Sequence, residues 1–181
     1  MIARSNGHQE IVDYLISKGA CLEAPLSNIT QVRQKIPTAH HINNEKYNNM
    51  RLIEAVKSNL LDDVIRALND GADVDYCYNS SKITVLMIAC KLGFTSIASY
   101  LIKIGTSVNK VNCNRQTAVH LAARHNHHEI VKTLVKAGAD ITIRDNLNYR
   151  PLDLALLFVN DKKDKTISIL IDRLIELDDY S

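Results

Sequence analysis

Thr117-Ala118-Val119-His120-Leu121-Ala122-Ala123-Arg124-His125-Asn126-His127-His128-Glu129-Ile130-Val131-Lys132-Thr133-Leu134-Val135-Lys136-Ala137-Gly138-Ala139-Asp140 carries the architecture of this chain. Val119, Ala122 and Ala123 fall at helical spacing, so a short first helix with a small-residue buried side is expected. Small side chains let two layers of helices approach closely. Asn126 supplies a turn. Ile130, Val131, Leu134 and Val135 then form the apolar stripe of a second helix. Gly138 ends it, because glycine takes the left-handed conformation at little steric cost. The polar run from Asp140 to Asn148 reads as a projecting hairpin finger.

The same sentence is written elsewhere. Ala55 to Asp73 and Ala89 to Ser107 run in parallel with Ala122 to Asp140. Their closing glycines, Gly71, Gly105 and Gly138, stand 34 and then 33 residues apart. A partial copy opens the chain, with Ala3, Gly7, Ile11, Val12, Leu15 and Gly19. Self-similarity at this period implies helix pairs that cannot bury themselves singly and must stack.

The recurring unit resembles the ankyrin repeat. The family opening Thr-Pro-Leu-His-x-Ala is matched by Thr117-Ala118-Val119-His120-Leu121-Ala122, with proline and leucine replaced. Thr84-Val85-Leu86-Met87-Ile88-Ala89 loses the histidine. Arg150-Pro151-Leu152-Asp153-Leu154-Ala155 loses threonine and histidine. The family closing Gly-Ala-Asp-Val-Asn is matched by Gly71-Ala72-Asp73-Val74-Asp75 and Gly138-Ala139-Asp140-Ile141-Thr142, and more loosely by Gly105-Thr106-Ser107-Val108-Asn109. The likeness covers residues 1–23 and 45–175. It implies an all-α solenoid of helix-turn-helix units with finger loops. It also implies that His120 bonds locally to hold adjacent units.

The expected organisation is a single array: a partial repeat at 1–25, an insertion loop at 26–44, repeats at 45–78, 79–111 and 112–144, and a capping repeat at 145–181. Gly19 and Gly71 are 52 residues apart, about half a unit too many. The excess at 26–44 reads as a loop, with a degenerate unit around Ile36-Pro37-Thr38-Ala39-His40 as the alternative. The chain enters in mid-unit, so Met1 looks like a cut. The C-terminal unit carries a polar insert at Asn160 to Lys165 and an acidic tail, and a polar outer side is expected of it. Asparagine is abundant, including Asn43-Asn44 and Asn48-Asn49, and reads as compositional bias.

The chain has 181 residues and a formal net charge of +2, which does not mark a nucleic-acid binder. Four cysteines at 21, 77, 90 and 113 are scattered and form no metal or disulfide pattern, so a reducing, cytoplasmic setting is expected, or the host cytoplasm for an effector. No run approaches membrane-spanning length. His125, His127 and His128 crowd one turn without partner ligands at metal spacing. There is no nucleophile elbow, phosphate loop or His-Glu-x-x-His, so no catalytic, cofactor or metal residue is assigned.

What remains is a binding surface. The residue two before each helix-pair turn is Lys57, Lys91 and Arg124. In ankyrin arrays this place ends the first helix on the concave face, so stacking aligns three cations. Lys82, Lys110 and Arg115 on fingers would add to them. Such a row would steer a protein partner with an acidic surface. The ordinary reading is cations favoured by a helix C-terminus. A second candidate set is apolar: Leu147, Tyr149 and Phe158 at the C-terminal end, with Tyr76 and Tyr78 on an earlier finger, as anchors; the alternative is that the C-terminal unit folds over Phe158 and Tyr149 and makes them core. The expected function is a non-catalytic protein-interaction module, binding on the concave face and fingers, with no nucleic acid, membrane insertion or small-molecule substrate. The alternative is the recognition arm of a larger enzyme or secreted effector whose catalytic domain lies outside this chain.

Overall fold

The computed structural model describes residues 44–158 and 164–178. The expectations for the partial repeat at 1–25, for the loop at 26–44 up to its last residue, and for most of the polar insert lie outside the described residues. Eight helices occur among the described residues, with one two-stranded ribbon. They are α1 (Asn44–Lys57), α2 (Leu61–Asn69), β1 (Cys77–Tyr78), β2 (Ile83–Thr84), α3 (Val85–Leu92), α4 (Thr95–Lys103), α5 (Ala118–Arg124), α6 (His128–Lys136), α7 (Pro151–Phe158) and α8 (Lys165–Asp178). The helix pairs abut in chain order. An inner row packs α1 on α3, α3 on α5 and α5 on α7, and an outer row packs α2, α4, α6 and α8 likewise.

Side-chain size explains the close inner row. Ala89, Ala122, Ala123 and Ala155 are fully buried between neighbouring inner helices. Ile97, Leu101, Ile130, Val131 and Leu134 bury the outer row against it. The pairs turn through Asn59, Gly93 and Asn126, all left-handed, with φ of 57°, 76° and 58°. Gly93 also meets a steric demand. A Cβ there would lie 2.5 Å from His127 Cε1, and His127 Nε2 sits 3.3 Å from the Lys91 carbonyl.

The opening motif works as a cap and a bolt. The Thr117 backbone N–H donates to His120 Nδ1 at 3.1 Å, so the proton sits on Nε2, which donates to the Tyr149 carbonyl of the next unit at 3.2 Å. Where the motif is degraded, substitutes appear. Thr84 Oγ1 accepts from the Met87 N–H, and Asp153 accepts from the Arg150 N–H.

Fingers are tied by side chains that mimic backbone turns. Asn112 Oδ1 accepts from the N–H groups of Asn114 and Gln116, and Asp145 Oδ1 from those of Leu147 and Tyr149. Each loop also reaches back. Asp75 accepts from the Ser107 N–H and Asn109 from the Asp140 N–H. Only the first described finger forms a ribbon, pairing Cys77 with Thr84 and Tyr78 with Ile83.

Two departures from the sequence reading stand out. Asn48 and Asn49 are not mere composition. Both are buried on α1, where Asn48 Nδ2 donates to the Asp70 carbonyl and Asn49 Oδ1 accepts from the Asp73 N–H. They close the first described pair, which lacks the opening motif. The terminal pair, in turn, does not present a wholly polar outer side. Leu156, 33 residues on from the buried Ala123, is 52% exposed, and Ile175 is 55% exposed. A following inner helix packs on α5, and among the described residues none follows α7.

Candidate functional site

The C-terminal ends of α1, α3 and α5 converge on one cleft of about 530 Å3. Repeat phase puts Lys57, Lys91 and Arg124 along it, one from each inner helix. Its floor is aliphatic, with Ile83, Met87, Ile88 and Leu121. The finger side supplies Tyr78, Asn79, Asn112, Asn114 and Gln116. No carboxylate lines it.

The outer two cations are held by aromatic faces. Lys57 Nζ lies 4.8 Å from the centre of the Tyr78 ring, and Arg124 Cζ lies 4.5 Å from that of Phe158. Such stacking uses the negative face of the ring and leaves the N–H edges free to donate. Glu54 approaches Lys57 only to 3.8 Å in an exposed pair worth little in water. Lys91 is exposed and makes no ion pair among the described residues.

The remaining candidates separate. Lys82 and Arg115 sit exposed at left-handed finger positions, φ 54° and 59°, outside the cleft lining. Lys110 does not join the row. Its ammonium donates to the Asp75 carbonyl at 2.9 Å and stands 3.7 Å from the Asp75 carboxylate, bracing two loops. Tyr76 is half-buried against the core rather than presented as an anchor. Tyr78 packs there too, but also lines the cleft. Leu147 is 74% exposed on the last finger, and Phe158 is 52% exposed beneath Arg124. Tyr149 is at the surface, and its carbonyl takes the His120 bond.

Sequence reasoning missed His125 as a cleft residue. It ends α5 beside Arg124, and its ring stacks on His127 with centroids 6.2 Å apart. Burial, then the charges of His127, Arg124 and Lys91, holds its pKa below the ordinary histidine value. The signal was present in its place, one residue past the cation row. It was hidden by the run of three histidines around one turn. His127 instead serves the scaffold at Gly93, and no group of three or more metal-ligating side chains gathers among the described residues.

Comparison with known proteins places this geometry. The family described as Ankyrin repeats matches residues 52–145 in three copies. The ARF GTPase-activating protein Git of Drosophila melanogaster is 33% identical over 94 residues, covering 52% of this chain and 13% of its own length. Alpha-latrotoxin-Lg1a of Latrodectus geometricus is 29% identical over 184 residues, covering 93% of this chain and 13% of its own length. Ankyrin repeat and SAM domain-containing protein 6 of Rattus norvegicus is 27% identical over 173 residues, covering 93% of this chain and 17% of its own. The chain thus spans less than a fifth of each of these relatives. The repeat period, the stacked helix pairs, the Thr117–His120 cap and the family match agree: this chain belongs to the ankyrin repeat family.

Proposed function

We propose that the chain is a non-catalytic protein-interaction module that docks an acidic surface of a protein partner in the cleft of Lys57, Lys91 and Arg124. Ankyrin repeats are in general protein-interaction modules, and the partner chemistry is our reading of this cleft. One observation carries it: three cations and an aliphatic floor line the cleft without a carboxylate. Cations at the rim raise the encounter rate and fix orientation, while the floor supplies burial. Among the described residues no helix is long and apolar enough to cross a membrane.

The test compares two triple reversals of equal charge. One is Lys57→Glu/Lys91→Glu/Arg124→Glu in the cleft. The other is Lys103→Glu/Lys132→Glu/Lys136→Glu on the exposed outer helices. Titration with poly-glutamate in about 0.15 M salt, where the Debye length is about 8 Å, should show at least roughly tenfold weaker binding for the cleft variant only. Equal weakening of both variants would mean that net charge, not the cleft, holds the ligand.

A further inference from the structure

The cleft has a period as well as a sign. Its cations come one per inner helix, and packed helices stand roughly 8–10 Å apart axis to axis. If the cationic heads follow the spacing of their helices, a ligand lying across the three units offers a carboxylate about every 9 Å on one face. The common chain conformations differ in meeting that demand. A β-strand rises about 3.3 Å per residue and alternates faces, so same-face side chains come at roughly 6.6 or 13 Å. An α-helix meets the spacing only at every sixth or seventh residue. The sixth residue, about 9 Å on, is turned about 120° off the first one's face, and the seventh returns to that face only at about 10.5 Å. A polyproline II segment rises about 3.1 Å per residue with three residues per turn. It returns the same face every third residue, about 9.3 Å on.

Resting on the interaction reading above, we propose that the cleft takes a polyproline II segment carrying an acidic residue at every third position, one carboxylate to each of Lys57, Lys91 and Arg124. The aliphatic floor of Met87, Ile88 and Leu121 receives an apolar side chain between the acids. The exposed Asn114 amide on the finger side faces a backbone that, in this conformation, makes no hydrogen bonds of its own. Tyr78 and Phe158 fix the outer cations from beneath, so less side-chain freedom is lost when the ligand arrives. The middle cation has no such seat and pairs with the middle carboxylate whichever way the segment runs.

Three peptides with three aspartates each separate the outcomes by isothermal titration: the first two share one composition rich in proline and leucine, and the third has alanine in place of proline so that it can form a helix. The aspartates stand at i, i+3, i+6 in the first, at i, i+2, i+4 in the second, and at i, i+7, i+14 in a helix-favouring third. The first should bind at least about tenfold tighter than either other. Lys91→Glu should abolish its binding, and a peptide with lysine in place of the middle aspartate should restore binding to Lys91→Glu alone. Equal binding of the first two peptides, lost in the triple cleft reversal, would overturn the spacing and leave the acidic-partner reading standing. Tightest binding of the third peptide would make the occupant a helix and overturn the proposal. Binding of the first peptide that survives the triple reversal, or no binding of any peptide, would overturn the acidic-partner reading with it.

Discussion

At the scale of residues, two glycines with the same backbone hand carry different loads. Gly105 has φ of 91° and nothing within 4 Å of a built Cβ, so Gly105→Ala pays only for the left-handed conformation, about 1–2 kcal/mol. Gly93→Ala meets the same strain and drives a methyl into His127. It should destabilise by up to about 1 kcal/mol more, as the His127 ring swings aside and leaves the Lys91 carbonyl. Urea midpoints of the two variants check the order, and equal losses would mean that the His127 contact yields freely. The turn was legible as a turn from Gly93 itself. That a histidine 34 residues on would press against it was not, because the contact depends on the angle between units.

His120 gives a second test at this scale. It is buried and neutral, its pKa held down by burial against the opposing pull of the Tyr149 carbonyl and the Asp145 and Asp153 charges. The unfolded state therefore takes up the proton first. Stability is complete above the unfolded value of about 6.5 and falls as pH drops below it, by up to about 1.4 kcal/mol at pH 5.5. In His120→Gln most of that decline should vanish. Paired denaturation curves at pH 7.5 and 5.5 measure it, and a decline undiminished in the variant would assign the pH response elsewhere.

Elements packed through the apolar core are also tied by short polar contacts between units. Asp75 is the fullest example. Burial pushes its pKa up, but bonds from the Ser107 side chain and N–H, then Thr106, then Lys110, pull it below the ordinary carboxylate value. Its contribution is thus present above the unfolded value of about 3.9 and lost as pH falls past it. Asp75→Ala at pH 7 should cost about 1–3 kcal/mol and expose the 105–107 loop amides to faster hydrogen exchange. An unchanged exchange rate there would show that the loop is held by packing alone. A similar tie starts α8. Asn126 Nδ2 donates to Asp164, and Thr166 Oγ1 donates to Asn126 Oδ1, across 38 and 40 residues. Helix positions, turns and closing glycines could be read along the chain because each obeys a local rule of period or backbone hand. These ties could not. Asn48 and Asn49 act on the loop after α2 and Asn126 on the start of α8, and no local pattern marks an asparagine that will bond at such a distance.

For the whole molecule, stacking converts a residue period into a row. Lys57, Lys91 and Arg124 were legible as a stripe because one translation relates all three. Lys110 shared the finger phase but not the fate, since Asp75 captured it. Tyr76 packs half-buried against the core, and only Tyr78 of the finger pair also lines the cleft. The exposed Leu156 and Ile175 show that the last described pair keeps apolar surface of the kind earlier pairs bury. Sequence period predicts where a face lies but not whether another element covers it.

Chemical-shift mapping of the amide-labelled chain, titrated with the i, i+3, i+6 aspartate peptide, tests the docking claim most directly. The account predicts shifts concentrated at Lys57, Tyr78, Ile88–Leu92, Asn114 and Leu121–His125. It also predicts a His125 ring that titrates at higher pH once carboxylates offset its cationic neighbours. Shifts confined to the outer faces of α2, α4 and α6, with those residues unmoved, would contradict it.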